Sequence, residues 1–353
     1  MQQISLQCSV VNEVQNISTH TAVIPDVQLV FINTSFLSTD SVVQEVQQVM
    51  CDAIGGVFAL SFNGYTTASI PFNADVSTIA NALQQLAIIN SVVVTFVNGA
   101  VQACIPQASS PGAAFSVNFT SVVGLSGDLP LLMGSTNGLI GLRRIVVTEI
   151  VRGMAGIGGT FRLSFQGSMT SDISAFASAS TLYTALTTVS TIPVGAITVT
   201  DLTSDLVNTQ GRLFSVAFIG ASVGGDVEAL QVVTQYNALT GSDVSITVYS
   251  DGAALAPTDS TSAPPSVSGN QIGGSFFLTL QGYTVGPIDF NVADTVLATQ
   301  LETLPNVGVV SVLRIGPSVY KEYQWIVTFL STPGYFPPGT VSLIISYRSF
   351  ELA

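Results

Sequence analysis

Three segments of the chain open alike: GGVFALSFNGYTT from Gly55, GGTFRLSFQGSMT from Gly158 and GGSFFLTLQGYTV from Gly273. A repeat of this kind requires one module to fold three times, and it outweighs every local signal in the chain. Each copy has a glycine pair followed by period-two alternation: Phe58, Leu60, Phe62; Phe161, Leu163, Phe165; Phe276, Leu278, Leu280. A turn glycine follows two residues later, at Gly64, Gly167 and Gly282. Alternation bounded by glycines predicts a half-buried strand, with the aromatic positions in the core.

The correspondence continues downstream. A second short strand ends in SIPFNAD, DISAFAS or PIDFNVAD. Helical spacing follows: Val76, Ile79, Leu83 and Leu86; Leu182, Leu186 and Val189; Val296, Leu297, Leu301 and Leu304. Asp75 and Asp294 stand where an N-cap carboxylate satisfies free backbone N–H groups. A third strand (91–97, 196–202, 309–315) and a fourth (114–120, 213–219, 324–330) come next. A loop then carries Gly127-Asp128, Gly225-Asp226 or the Pro-rich TPGYFPPG at 332–339, and a last strand (144–151, 244–250, 341–347) closes the unit. The expected fold is all-β, with three tandem β-sandwich units of immunoglobulin-like or jelly-roll-like character and one short helix in each. The expected boundaries are an N-terminal extension at 1–40 and repeats at 41–142, 143–243 and 244–353. The third includes a Ser/Thr/Pro linker, 256–270, that reads as extended and exposed.

The leader has strand composition at 10–18 and 26–33 but no glycine-pair body of its own. Val14-Gln15 and Val46-Gln47 share the text EVQ, and SVVQEVQQVM at 41–50 reads as a strand before the first body. Fifty residues of strand cannot close a core alone. The strand count leaves one boundary strand, most simply 341–350, without a partner. Unpaired apolar edges are usually blunted by lysine or proline, and the chain has a single lysine, Lys321. The expectation is that the leader of one copy completes a sheet of the next, so that removing residues 1–40 leaves folded but unassembled protein. The other reading has leader and tail packed on their own chain.

Composition excludes several classes. With 8 Lys and Arg against 21 Asp and Glu, net charge −13, no basic face can be assembled for nucleic acid or for an anionic membrane surface. Hydrophobic residues make up 47% of the chain, yet no apolar run approaches the ~18–20 residues of a spanning helix, so no membrane span is expected. Charged residues are 8%, which implies a surface buried against other subunits, hydrated by glycans, or coated with small polar side chains. Met1–Val11 lacks the basic and long apolar regions of a signal peptide.

Catalysis has little to rest on. His20 is the only histidine and no Ser/His/Asp set assembles around it. Asp128 and Asp226 read as turn residues; a calcium reading lacks DxDxDG spacing. The Gly-Gly pairs do not precede helices, so they do not cradle phosphate. The chain reads as a non-enzyme with no catalytic, cofactor or metal residues. Three N-x-[ST] sequons, at Asn16, Asn33 and Asn118, are candidate glycan acceptors, and alternation turns Asn118 away from the core. Cys8, Cys51 and Cys104 show no CxxC spacing. In an oxidising compartment, Cys51 with Cys104 is the preferred disulfide, leaving Cys8 for another chain; three buried thiols is the alternative. Tyr65 and Tyr283 follow turn glycines and are candidates for exposure. Tyr320, Tyr323, Tyr335, Tyr347 and Phe350 crowd the third unit as an interface or a local core.

The pattern GGxFxLSFxGxxT, a short helix with Leu spacing, VxVT, a Gly-Asp loop and VxVTE resembles the tandem β-sandwich repeats of algal and protist extracellular fibrous surface proteins of mastigoneme type. The resemblance covers about 41–353; the third unit departs by lacking the Gly-Asp loop. It implies an extracellular, glycosylated, fibre-forming role. The expected function is therefore a structural protomer of a helical filament assembled head-to-tail through strand pairing, with itself as partner. A carbohydrate-binding or adhesive cell-surface module, or a viral surface protein, is the alternative.

Overall fold

The computed structural model describes residues 12–106, 114–208 and 210–331, and the backbone of Thr340–Ile344. The architecture is all-β. All strand pairs are antiparallel, and the described residues contain three nine-residue helices, Val76–Gln84 (α1), Ala179–Thr187 (α2) and Asp294–Glu302 (α3).

Each repeat opens as its sequence requires. Asn63-Gly64, Gln166-Gly167 and Gln281-Gly282 have φ of 45° and 85°, 48° and 80°, and 49° and 85°. Positive φ at both central residues is the type I′ turn that joins twisted strands by a two-residue loop. The glycine pair has a different cause. Gly56, Gly159 and Gly274 have φ of 91°, 78° and 82°. A Cβ on Gly56 would lie 2.1 Å from the Gly138 carbonyl oxygen, and one on Gly159 would lie 2.0 Å from that of Ala238. Only a residue without a side chain lets the facing strand approach there.

Three apolar clusters form around the opening strands. In the first, Phe58, Leu60 and Phe62 pack with Ile79 and Leu83 of α1. In the second, Phe161, Leu163 and Phe165 pack with Leu182 and Leu186 of α2. In the third, Phe276, Leu278 and Leu280 pack with Leu297 and Leu301 of α3 and with Trp325. Phe62 stacks on Phe119 at 5.1 Å between centroids, and Phe165 on Phe218 at 5.2 Å, so the first two copies repeat down to ring placement. Val296, expected inward on α3, is half exposed. Asp75 caps α1 by accepting from the Thr78 N–H at 2.8 Å, and Ser178 does the same for α2 through Thr181 at 3.2 Å. Asp294 does not cap α3. It lies in the first turn behind Ala293, where its charge faces the positive helix end.

Arg144–Val151 and Ser245–Tyr249, expected to close the first and second units, pair with Val46–Asp52 (β3) and Asp26–Asn33 (β2). One expectation about strand order needs correction. Thr340–Ile344 is not the counterpart of those closing strands. It pairs with Ser275–Leu280, Thr279 facing Thr340, as Met133–Ser135 pairs with Gly55–Phe62 and Gln231–Val232 with Leu163–Phe165. Alternation marks a strand but does not say which edge it takes.

The segment 256–270 is not a free tether. Val267 exchanges backbone hydrogen bonds with Val27 at 2.8 and 2.9 Å, and the Ser260 hydroxyl donates to the Asp205 carbonyl at 2.6 Å. Ser260 and Ser266 are buried. The segment runs beside a small fourth cluster of Leu29, Phe31, Leu206, Leu213 and Leu255, with Ala263 packed against it.

Gly56→Ala should cost at least about 2 kcal/mol, because strain at positive φ adds to a backbone clash. Gly64→Ala, whose Cβ meets nothing within 4 Å, should cost about 1 kcal/mol. Urea midpoints of the two variants check the ranking.

Candidate functional site: the leader strands

The leader and the segment that follows it, residues 14–52, supply one strand to each repeat, in reverse order. β3 lies between Ala114–Val122 and Arg144–Val151 in the sheet of the first repeat. β2 lies between Arg212–Phe218 and Ser245–Tyr249 in that of the second. Val14–Ser18 (β1) pairs with Gln324–Phe329 in the third. The leader expected to reach a neighbouring copy is thus paired within its own chain. β2 is a central strand whose Leu29, Val30, Phe31 and Ile32 are at most 4% exposed. Burying four such side chains contributes on the order of 8 kcal/mol, comparable to the whole stability of a domain. Removing residues 1–40 would unfold the second repeat rather than free a connector.

The strands begin alike: Glu13-Val14-Gln15, Asp26-Val27-Gln28 and Glu45-Val46-Gln47. Period two turns the acid and the glutamine to one face, toward the loop after the fourth strand. Gln47 donates to the Glu45 carboxylate at 2.6 Å and to the Pro130 carbonyl at 3.0 Å, and accepts from the Leu132 N–H at 2.8 Å. Gln28 donates to Asp26 at 3.0 Å and to the Glu228 carbonyl at 3.1 Å, and accepts from the Leu230 N–H at 2.7 Å. Glu45 also takes the Leu129 N–H at 2.6 Å, and Asp26 the Gly269 N–H at 3.3 Å. Counted from Gly127-Asp128 and Gly225-Asp226, the loop positions coincide. All four side chains are at most 2% exposed. The glutamine is a two-sided clip that satisfies a buried loop donor and acceptor at once.

This clip explains the recurrent Gly-Asp loops better than a bare turn. Asp128 stands beside Glu45 and Glu149, and Asp226 beside Asp26 and Asp251. Arg152 binds Asp128 at 2.7 Å and reaches Asp243 at 3.2 Å. Burial raises the Asp26 carboxyl above the ordinary range, Asp226 pushing the same way against the pull of its hydrogen bonds to Gln28 and Gly269. Burial likewise raises Glu45, with Glu149 and Asp128 adding to it against Gln47 and Leu129.

The other residues singled out in the sequence lie apart from this site. His20 is exposed, 3.8 Å from Glu322. Asn16 is exposed on β1. Asn33 is half-buried and its amide oxygen accepts from the Thr34 N–H at 2.8 Å. Asn118 lies on a central strand, half-buried on the face opposite the core residues Phe115, Val117 and Phe119 as alternation requires, with its amide oxygen buried. Cys51 and Cys104 form a disulfide; Cys8 lies outside the described residues, as do Tyr335, Tyr347 and Phe350. Tyr65 and Tyr283 are 48% and 49% exposed. Tyr323 stacks on Trp325 at 5.6 Å, Arg314 lies over its ring, and Tyr320 gives its carbonyl to the Ile272 N–H. Sequence reasoning missed the clip. Its signal was the acid-Val-Gln text, which is present three times and was matched only twice. No helix among the described residues is long and apolar enough to cross a membrane. Comparison with family models and with curated proteins finds no match.

Gln47→Leu and Gln28→Leu should each cost about 3 kcal/mol, because a buried N–H, a carbonyl and a carboxylate lose their partner together. Equal losses at the two positions, read from urea midpoints, would show the clips to be equivalent. A second check uses pH. Folded-state values above the unfolded ones give stability that is full below the unfolded carboxylate range and is lost as pH rises through the raised values. The double variant Asp26→Asn, Glu45→Gln should therefore show a smaller decline in midpoint than wild type between about pH 4 and pH 7.

Proposed function

We propose that the chain is the structural protomer of an extracellular, glycan-bearing helical filament, joined by β-strand pairing between copies, with each repeat acting as a rigid β-sandwich unit. The observation that carries this reading is the threading of the leader. One segment contributes to the sheets of all three repeats, so pulling the repeats apart has to shear strands out of sheets. Such a tie suits a load-bearing element and serves no evident purpose in a catalyst. The Cys51–Cys104 disulfide fits an oxidising compartment. The low charge fits a surface covered by neighbours or sugar. A second reading, an adhesive or carbohydrate-binding module, draws on Tyr65 and Tyr283, which repeat half exposed beside the same turn.

Negative-stain microscopy of the secreted protein tests the first reading: ordered multi-subunit filaments are expected, and discrete monomers that bind a glycan array would replace it with the second. Mass spectrometry of the same material should find sugar on Asn16, which is exposed on β1; secreted material with Asn16 bare would remove that glycan from this reading.

A further inference from the structure

Among the described residues, the third repeat has an open place that the other two fill. Glu13 and Thr19 bond backward to Gln324–Phe329: the Phe329 N–H donates to the Glu13 carbonyl and the Thr19 N–H to that of Tyr323. Backbone groups alternate along an antiparallel pair, so those of Val14, Asn16 and Ser18 point to the other side. In the first repeat the matching residues Val46, Gln48 and Met50 face Val151, Thr148 and Val146. In the second, Val27 bonds to Val267, and Leu29 and Phe31 face Tyr249 and Thr247. Beside β1, no strand of the described residues lies on that side. The two filled places show what fits: an antiparallel strand with aliphatic side chains at alternate positions on the core side, such as Ile145 and Val147 or Ile246 and Val248.

Residues 1–11 carry that pattern. Ile4, Leu6, Cys8 and Val10 alternate with Ser5, Gln7 and Ser9. The core-facing residues of β1 are Gln15 and Ile17. A tight two-residue turn at 12–13, which would fold this segment back on its own β1, needs positive φ at its first residue. Asn12 does not have it, and Glu13 is still extended against Phe329. We propose that residues 4–10 of a second copy add as a strand to the outer edge of β1, an inference that rests on the filament reading and names its joint.

The test uses two full-length variants. Asn16→Pro removes an outward N–H and spares the bonds to Gln324–Phe329; Asn16→Gln controls for the lost sugar site. Leu6→Asp spoils the donor and leaves the edge intact. Each variant alone should sediment as a folded monomer, Asn16→Gln should assemble like wild type, and a one-to-one mixture of the two should form dimers and nothing larger. Wild type that closes into dimers lost in both variants would keep the joint and end the filament. Filaments that persist in either variant would end this joint while the filament stands. Monomeric wild type at all concentrations would end both.

Discussion

The fold depends on the second edge of each fourth strand. Ala114–Val122, Arg212–Phe218 and Gln324–Phe329 pair on one side with the strand that precedes them in sequence. Their other side is buried and needs backbone partners, since an unmet buried N–H or C=O costs about 1–3 kcal/mol. Nothing close in the chain supplies them. Residues 14–52 do: β2 pairs along Arg212–Phe218, Asp26 facing Phe218 and Ile32 facing Arg212, and the Thr19 N–H reaches the Tyr323 carbonyl far along the chain. A repeat cut out at its sequence boundaries therefore lacks a strand, and its folding waits on long-range closure, which is slow.

The three leader strands are not held equally. β3 buries Val49 and carries Cys51, which ties it to Cys104. β2 is buried on both faces and has neighbours on both edges. Among the described residues, β1 contributes the half-buried Ile17 to its cluster and has one neighbouring strand. Within those residues β1 is thus the least anchored of the three. The third repeat is the one whose leader strand has no described strand on its outer edge, so the least anchored strand is also the one the proposed joint would use.

The sequence made the repeats legible because their signals are local. Glycine pairs, I′ turns and alternating aromatics each act within a few residues, and their positions are right to the residue at Gly56, Gly64, Phe58 and Phe62. The leader was half legible. Strand composition at 10–18 and 26–33 was evident, but pairing is a property of two segments, and period two is the same for every partner. DVQLVFIN held one further clue: four consecutive apolar residues, which mean burial on both faces, hence a central strand rather than an edge. The Ser/Thr/Pro segment misled because its composition matches a tether, whereas what orders it is the outer face of β2. VSLIISY misled for the converse reason, since the Pro-rich loop before it hid that two short strands of the earlier repeats have become one.

An exposed edge without lysine invites indiscriminate pairing, so a chain that keeps one must restrict what can approach. At the outer edge of β1, which no described strand covers, the restriction is directional. Val14, Asn16 and Ser18 send their side chains out of one face of the sheet, while their backbone groups point sideways in its plane. Bulk on Asn16, such as a sugar, would block stacking of one sheet upon another and leave the plane open. A strand can then add edge-on, but a sheet cannot collapse face-on. The net charge of −13, spread thinly, repels copies at long range without placing a charge on the edge itself. At the proposed joint these two features would let the edge accept one extended segment, matched to it by backbone hydrogen bonds, and turn away an apolar face.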